Sequence, residues 1–147
     1  MKQENKELLL RDLCSRLPYG VIAEYYDAEE RCKCDADIDY IDVSASERPE
    51  VGISQYVLPI EEIKPYLFPM SSMTEKKVYE FYCRFVADDI PFDDFVADYW
   101  NTNSLHKVLT SIDDVECIMD WYNENHVDCH GLIYRDLAND ATGLSIY

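Results

Sequence analysis

Hydrophobic and polar positions alternate with a period of two through much of the first half of the chain and recur with helical spacing in the second. At the start, Leu9, Leu10, Leu13, Cys14 and Leu17 make one apolar stripe, which predicts a helix capped by Asn5 and stopped at Pro18 and Gly20. Residues 21–26, VIAEYY, are dense in β-branched and aromatic side chains and predict a strand that turns at DAEE. In the next run, Cys32, Cys34, Ala36, Ile38 and Tyr40 alternate with Lys33, Asp35, Asp37 and Asp39, so one face of a second strand is expected on a core and the aspartates in water. After the polar loop SASERPE, GISQYVL reads as a third strand ended by Pro59. Three strands with short links imply an antiparallel meander covered on one face by the first helix.

Pro65 and Pro69 each lack a backbone donor and disfavour helix at the preceding residue, so Lys64 to Met70 is expected as an extended connector anchored by Tyr66, Leu67 and Phe68. Beyond it the period changes. Either Ser72, with Glu75 in a capping box, or Thr74, with Met73 and Val78 as a hydrophobic staple, starts a helix whose stripe is Val78, Phe81, Tyr82, Phe85 and Val86. Val78, Phe81, Tyr82 and Phe85 of that stripe are the expected seam between the sheet and helical halves. Pro91 opens a third helical pattern with Phe92, Phe95, Val96 and Tyr99 on one face. Ser111 with Asp114 opens a fourth, carrying Val115, Ile118, Met119 and Tyr122 and stopping near Asn123 to Asn125. A turn of helix over 133–138 and a docked terminal strand, LSIY, complete the reading. The fold class is α+β in a single domain, 1–147: a helix-plus-antiparallel-sheet lobe over 1–70, then a mainly helical acidic lobe over 71–147.

Composition narrows the setting. Hydrophobic residues make up 48% of the chain and aromatics 13%, which is globular despite 29% charged residues. No window approaches 18 apolar residues, and the charges in MKQENKELLLRDLCSRL do not make a secretory signal. The six cysteines are then expected as free, buried thiols in a reducing cytoplasm. Net charge is −17, and residues 88–147 hold 13 acids against only Lys107 and Arg135. Such a surface repels phosphate, which disfavours direct nucleic-acid binding and adhesion to anionic membrane.

Candidate chemistry is sparse. Gly20, Gly52, Gly131 and Gly143 are too far apart for a phosphate cradle, and no Gly-x-Ser-x-Gly string occurs. Cys32, Cys34, His126, Cys129 and His130 are ligand types that zinc prefers, but their spacing fits no common site, and two cysteines two apart on a strand suit a packed face equally well. Asp35, Asp37 and Asp39 hint at a calcium loop, yet Tyr40 stands where the turn needs glycine and Ser46 where the bidentate glutamate belongs. Cys129 beside His130 and near Asp128 offers a thiol nucleophile only if neighbours in sequence meet in the required geometry. Asp88, Asp89, Asp93, Asp94 and Asp98 are read as an acidic interaction face, with a general acid and base pair as the enzymatic alternative. No catalytic residue, cofactor or metal is assigned.

Two strings, IEEIKPYLFPMSSMTE and DWYNENHVDCHGLI with ATG near the end, resemble a group of small uncharacterised proteins from Bacteroides-type gut bacteria, their prophages and mobile elements. The matching residues are Ile63 to Pro69, Ser71 to Thr74, Asp120, Trp121, Asn123, His126, Asp128 and Gly131 to Ile133, and with KELLLRDLCSRLPYGV the resemblance spans about half the chain. Cys129 and His130 stand where bulkier or basic residues are expected, which weakens a metal role for them. The resemblance implies a bacterial mobile-element origin and brings no activity with it. The functional expectation is a non-enzymatic cytoplasmic acidic protein that acts by binding another protein. Its alternatives are a nucleic-acid mimic that inhibits a DNA-binding host protein, and an enzyme with an unrecognised carboxylate or thiol site.

Overall fold

The computed structural model describes residues 1–44, 48–86, 90–102, 104–109 and 112–147, excepting the side chains of His106, Ile112, Asp113 and Asp114. Helix α1 (Gln3–Arg16) begins two residues before Asn5 and ends in a tight turn over Leu17–Tyr19, where Gly20 takes a φ of 73° that glycine alone adopts without strain. Its buried stripe is Leu9, Asp12, Leu13 and Arg16. Cys14, expected on that stripe, is exposed, because it lies one position round the helix from Leu13, and Cys32, Cys83 and Cys117 are exposed as well, against the expectation of buried thiols.

Strands β1 (Ile22–Asp27), β2 (Cys32–Asp42), β3 (Glu50–Ile53), β4 (Tyr56–Pro59), β5 (Ile63–Leu67) and β6 (Asn139–Asp140) form one sheet in the order β4-β3-β2-β1-β5-β6. All neighbours are antiparallel except β5 and β6. The expected third strand is a hairpin, because Ser54 adopts a φ of 56° and folds GISQYVL back on itself at Ser54 and Gln55. The expected connector is itself a strand, β5, which pairs with β1 through Ile63, Lys64 and Pro65. The terminal LSIY is not a strand; Tyr147 docks by its side chain, donating from Oη to the Tyr66 carbonyl at 2.9 Å. Residues 132–136 are turns, not helix.

On β2 the aspartates Asp35, Asp37 and Asp39 are exposed, as the alternation requires, and Ile38 is buried. Tyr40 is exposed where the alternation places it inside. A bulge explains it: Ile38 pairs with Ile53 and Tyr40 with Gly52, leaving Asp39 unopposed, so the inward phase resumes at Ile41 instead. The Tyr40 ring lies over Gly52, where a Cβ would come within 2.2 Å of Cε1.

Two apolar clusters form the interior among the described residues. The first sets Leu9 and Leu13 of α1 against Ala23, Tyr25, Ile38, Val51, Ile53, Ile63 and Leu67 of the sheet. The second lies among α2 (Glu75–Phe85), a short α3 (Phe92–Phe95) that continues as a π-helical turn over Val96–Trp100, and α4 (Ile112–Glu124). Thr74 is the cap of α2, accepting from Lys77 N. Val78 and Phe81 are buried and Tyr82 and Phe85 half-buried, but they do not form the seam with the sheet. Phe81 instead packs on Phe95, Trp100, Trp121 and Tyr122 within the helical cluster. In the π turn, Asn101 N bonds to Val96 O across five residues, and the wider turn brings Trp100 into the core beside Phe95. On α4, Ile118 and Tyr122 are buried as expected, Val115 is exposed, and Trp121 is fully buried. Ser111, with the expected capping box, lies outside the described residues.

Candidate functional site

The seam between the two clusters is polar and centres on Arg16. Its spacing from Leu9, Asp12 and Leu13 turns its side chain inward with them, so a guanidinium and a carboxylate enter the interior together. Arg16 Nε donates to Asp12 Oδ2 at 2.7 Å and Nη2 to Oδ1 at 2.9 Å, and neither side chain is exposed. The remaining donors reach the end of α4 and the segment after it: Nη1 to the Tyr122 carbonyl at 3.3 Å and Nη2 to the Val127 carbonyl at 2.8 Å. Burial alone raises a carboxyl, but hydrogen bonds from His130 and Arg16 and the charges of both hold Asp12 below its ordinary range. Burial likewise opposes the Arg16 charge, and the Asp12 hydrogen bond and charge more than offset it.

Cys129 and His130 complete this cluster. His130 Nδ1 lies 2.8 Å from Asp12 Oδ1 and 3.7 Å from Cys129 Sγ. The Asp12 hydrogen bond, reinforced by Cys129, pushes His130 up to about 10, so at neutral pH it is an imidazolium. A cysteine–histidine nucleophile needs one ring nitrogen on the thiol and the other on an orienting acid. Here a single nitrogen faces both, and an imidazolium has no lone pair to take a thiol proton. Asp128 takes no part, because its two oxygens accept from Leu132 N at 2.8 Å and Ile133 N at 3.0 Å and cap the turn that follows. Asp12, Cys129 and His130 also offer three ligand atoms within 4.8 Å. Both Asp12 oxygens are already engaged by Arg16, whose positive charge opposes a second cation there. The arrangement is a clasp that joins α1 to the end of α4. The i, i+4 spacing of Asp12 and Arg16 on the apolar stripe was its one sequence signal.

A second centre lies on the other side of His126. Helix α4 ends in a Schellman arrangement, with His126 N bonded to Asn123 O at 3.1 Å and Val127 N to Tyr122 O at 2.8 Å. The residue that must turn left-handed is His126, with a φ of 52°, at a position where glycine is the usual occupant. His126 is only 6% exposed, and its ring stacks on Tyr147 with centroids 3.6 Å apart and planes 8° from parallel. Burial, and then the Arg16 charge, depress it to about 4, so it is neutral. Among the described residues, the buried side-chain polar atoms without a hydrogen-bond partner are Trp121 Nε1, Asn123 Oδ1 and His126 Nδ1, all within one six-residue stretch. His126, Tyr147 and Phe68 wall a cleft of about 450 Å³ with Met73, Thr74 and Lys77 at the start of α2 and Glu124 and Asn125 at the end of α4.

The acidic face divides. Asp93, Asp94 and Asp98 are exposed along α3 and the π turn, whereas Asp88 and Asp89 lie outside the described residues. Of the five ligand residues noted in the sequence, Cys129 and His130 join the clasp, and His126 faces Tyr147. Cys32 and Cys34 lie on β2 with their sulfurs 3.4 Å apart. No described helix is long and apolar enough to cross a membrane. Compared with known protein families, with curated proteins and with solved structures, the chain matches none.

Proposed function

We propose that the chain acts by binding another protein, and that the cleft between the start of α2 and the end of α4 receives a basic segment of that partner carrying an apolar anchor. The observation that carries the reading is His126, a neutral, buried side chain held at a strained left-handed position with Nδ1 unpartnered, on the wall of a mainly apolar cleft. Residues kept in costly backbone conformations concentrate at functional sites. At about 450 Å³ the cleft is within the usual range for a bound group, and Met73 gives it a pliable wall. One Leu or Phe anchor contributes only about 1.5–3 kcal/mol by burial. Charge supplies the rest of the reading: Lys77 and Glu124 balance on the cleft itself, but the chain as a whole, at −17, favours a basic partner and predicts salt-sensitive association. The setting that accords with the resemblance is the cytoplasm of a bacterium carrying mobile elements.

The test compares partners captured by the wild type, by Met73→Glu, which puts a charge in the cleft, and by a variant with Asn at Asp93, Asp94 and Asp98, each at low and high salt. A partner lost with Met73→Glu and weakened by salt is the expected result. Identical partner profiles from wild type and Met73→Glu would overturn the cleft as the binding site. Loss confined to the Asn variant, together with competition by duplex DNA, would move the function to nucleic-acid mimicry.

A further inference from the structure

We propose that Cys32 and Cys34 form a two-thiol site for a soft monovalent cation, copper(I), at the turn end of the β1–β2 hairpin. The strand geometry makes the site. Residues two apart on β2 point to the same face, and the two sulfurs stand 3.4 Å from each other, with Cys32 exposed and Cys34 half-buried at the margin of the sheet core. The backbone that presents them is fixed by pairing Cys32 with Asp27 and Cys34 with Tyr25. Asp27 is itself held by hydrogen bonds from Glu29 N, Glu30 N and the Tyr56 hydroxyl, which places a fixed carboxylate beside the pair.

The chemistry selects the ion. Thiolate pairs favour soft ions such as copper(I), while zinc asks for four ligands that this strand does not supply. Two sulfurs each about 2.3 Å from one ion stand at most about 4.6 Å apart, so side-chain rotation of about 1 Å at the exposed Cys32 admits the metal. The fixed Asp27 carboxylate lies across the strand pair from Cys32 and adds a negative field that favours a cation at the two sulfurs. Loading replaces two thiol protons by one copper(I), releases both protons to solvent, and leaves a bis-thiolate complex of charge −1. The site lies on the sheet hairpin and is independent of the cleft.

Four other cysteines are present, at Cys14, Cys83, Cys117 and Cys129, so the experiment starts from a variant in which all four are Ser. Copper(I), supplied anaerobically as its acetonitrile complex, is titrated against a coloured copper(I) chelator that reports what the protein withholds. The expected result is one equivalent withheld by this variant. Adding Cys32→Ser or Cys34→Ser should cut affinity by about a hundredfold or more, and zinc should be withheld far less than copper. Circular dichroism verifies that each variant is folded, and the wild type with only Cys32→Ser and Cys34→Ser guards against a folding failure of the four-Ser chain. Retention of tight copper binding by that double variant at the wild-type stoichiometry, or no copper withheld by the folded four-Ser chain, would overturn the site.

Discussion

Arg16 shows how one side chain can hold two parts of a fold together. Replacing it with Met leaves Asp12 buried against His130 alone, and removing one partner of a buried ion pair costs about 3–5 kcal/mol. Urea denaturation of Arg16→Met should show that loss, and Asp12→Leu with Arg16→Met together should recover much of it; equal stability of Arg16→Met and wild type would mean the clasp contributes nothing. His130 within this clasp and His126 beside it give stability opposite dependences on pH. His130 is raised from an unfolded value near 6.5 to about 10, so its contribution is full below about 6.5 and is lost as pH rises through about 10. His126 is depressed to about 4, so the unfolded chain takes up its proton first and stability falls as pH drops from about 6.5 to 4. Each limb has a slope of at most about 1.4 kcal/mol per pH unit. Relative to wild type, His130→Asn should flatten the alkaline limb and His126→Phe the acid limb; identical pH profiles would refute the assignment. The sequence offered only the i, i+4 spacing of Asp12 and Arg16 on the apolar stripe and not their inward direction, because inward charge is tolerated only when a partner far along the chain satisfies it.

At the scale of elements, capping and interruption decide more than propensity. The end of α4 is the clearest case. Glycine at the left-handed position is favoured over a side chain by about 1 kcal/mol, so His126→Gly should lose the ring stack with Tyr147 yet keep or slightly gain backbone stability. If the cleft is the binding site, that variant stays folded and loses the partner; a folded variant with undiminished binding would separate the strain from function. Helix α2 is the element whose period was most legible, and Phe81 is its most enclosed residue, in contact with five aromatic rings. Phe81→Ala should cost about 3–5 kcal/mol and weaken the near-ultraviolet dichroism of Trp100 and Trp121. An unchanged denaturation midpoint would refute its place in the core. Other elements escaped the sequence reading for local reasons with long consequences. The bulge at Asp39 inverted the phase of Tyr40, the left-handed Ser54 made a hairpin from one expected strand, and the π turn moved the inward position to Trp100.

Across the whole molecule, the charge of −17 acts on an ordinary two-cluster interior. Like charges repel in the compact state, and raising salt shortens the screening length from about 10 Å at 0.1 M to 3 Å at 1 M. Sodium chloride should therefore raise the urea midpoint, while the Asp12–Arg16 pair, out of reach of screening, keeps its share. A midpoint that falls with salt would show that exposed ion pairs such as Lys33–Glu24 outweigh the repulsion. The sequence by itself determined the α+β class, the period of β2 as far as Ile38, the period of α2, a cap at Ser72 or Thr74 and the outward aspartates, because these depend on residues within a few positions of each other. Only the tertiary structure decided that Arg16 reaches carbonyls 106 and 111 residues away, that Tyr147 covers His126, and that β6 joins β5 in parallel. Those contacts close long loops, and no local period records which distant partner will satisfy a buried polar group.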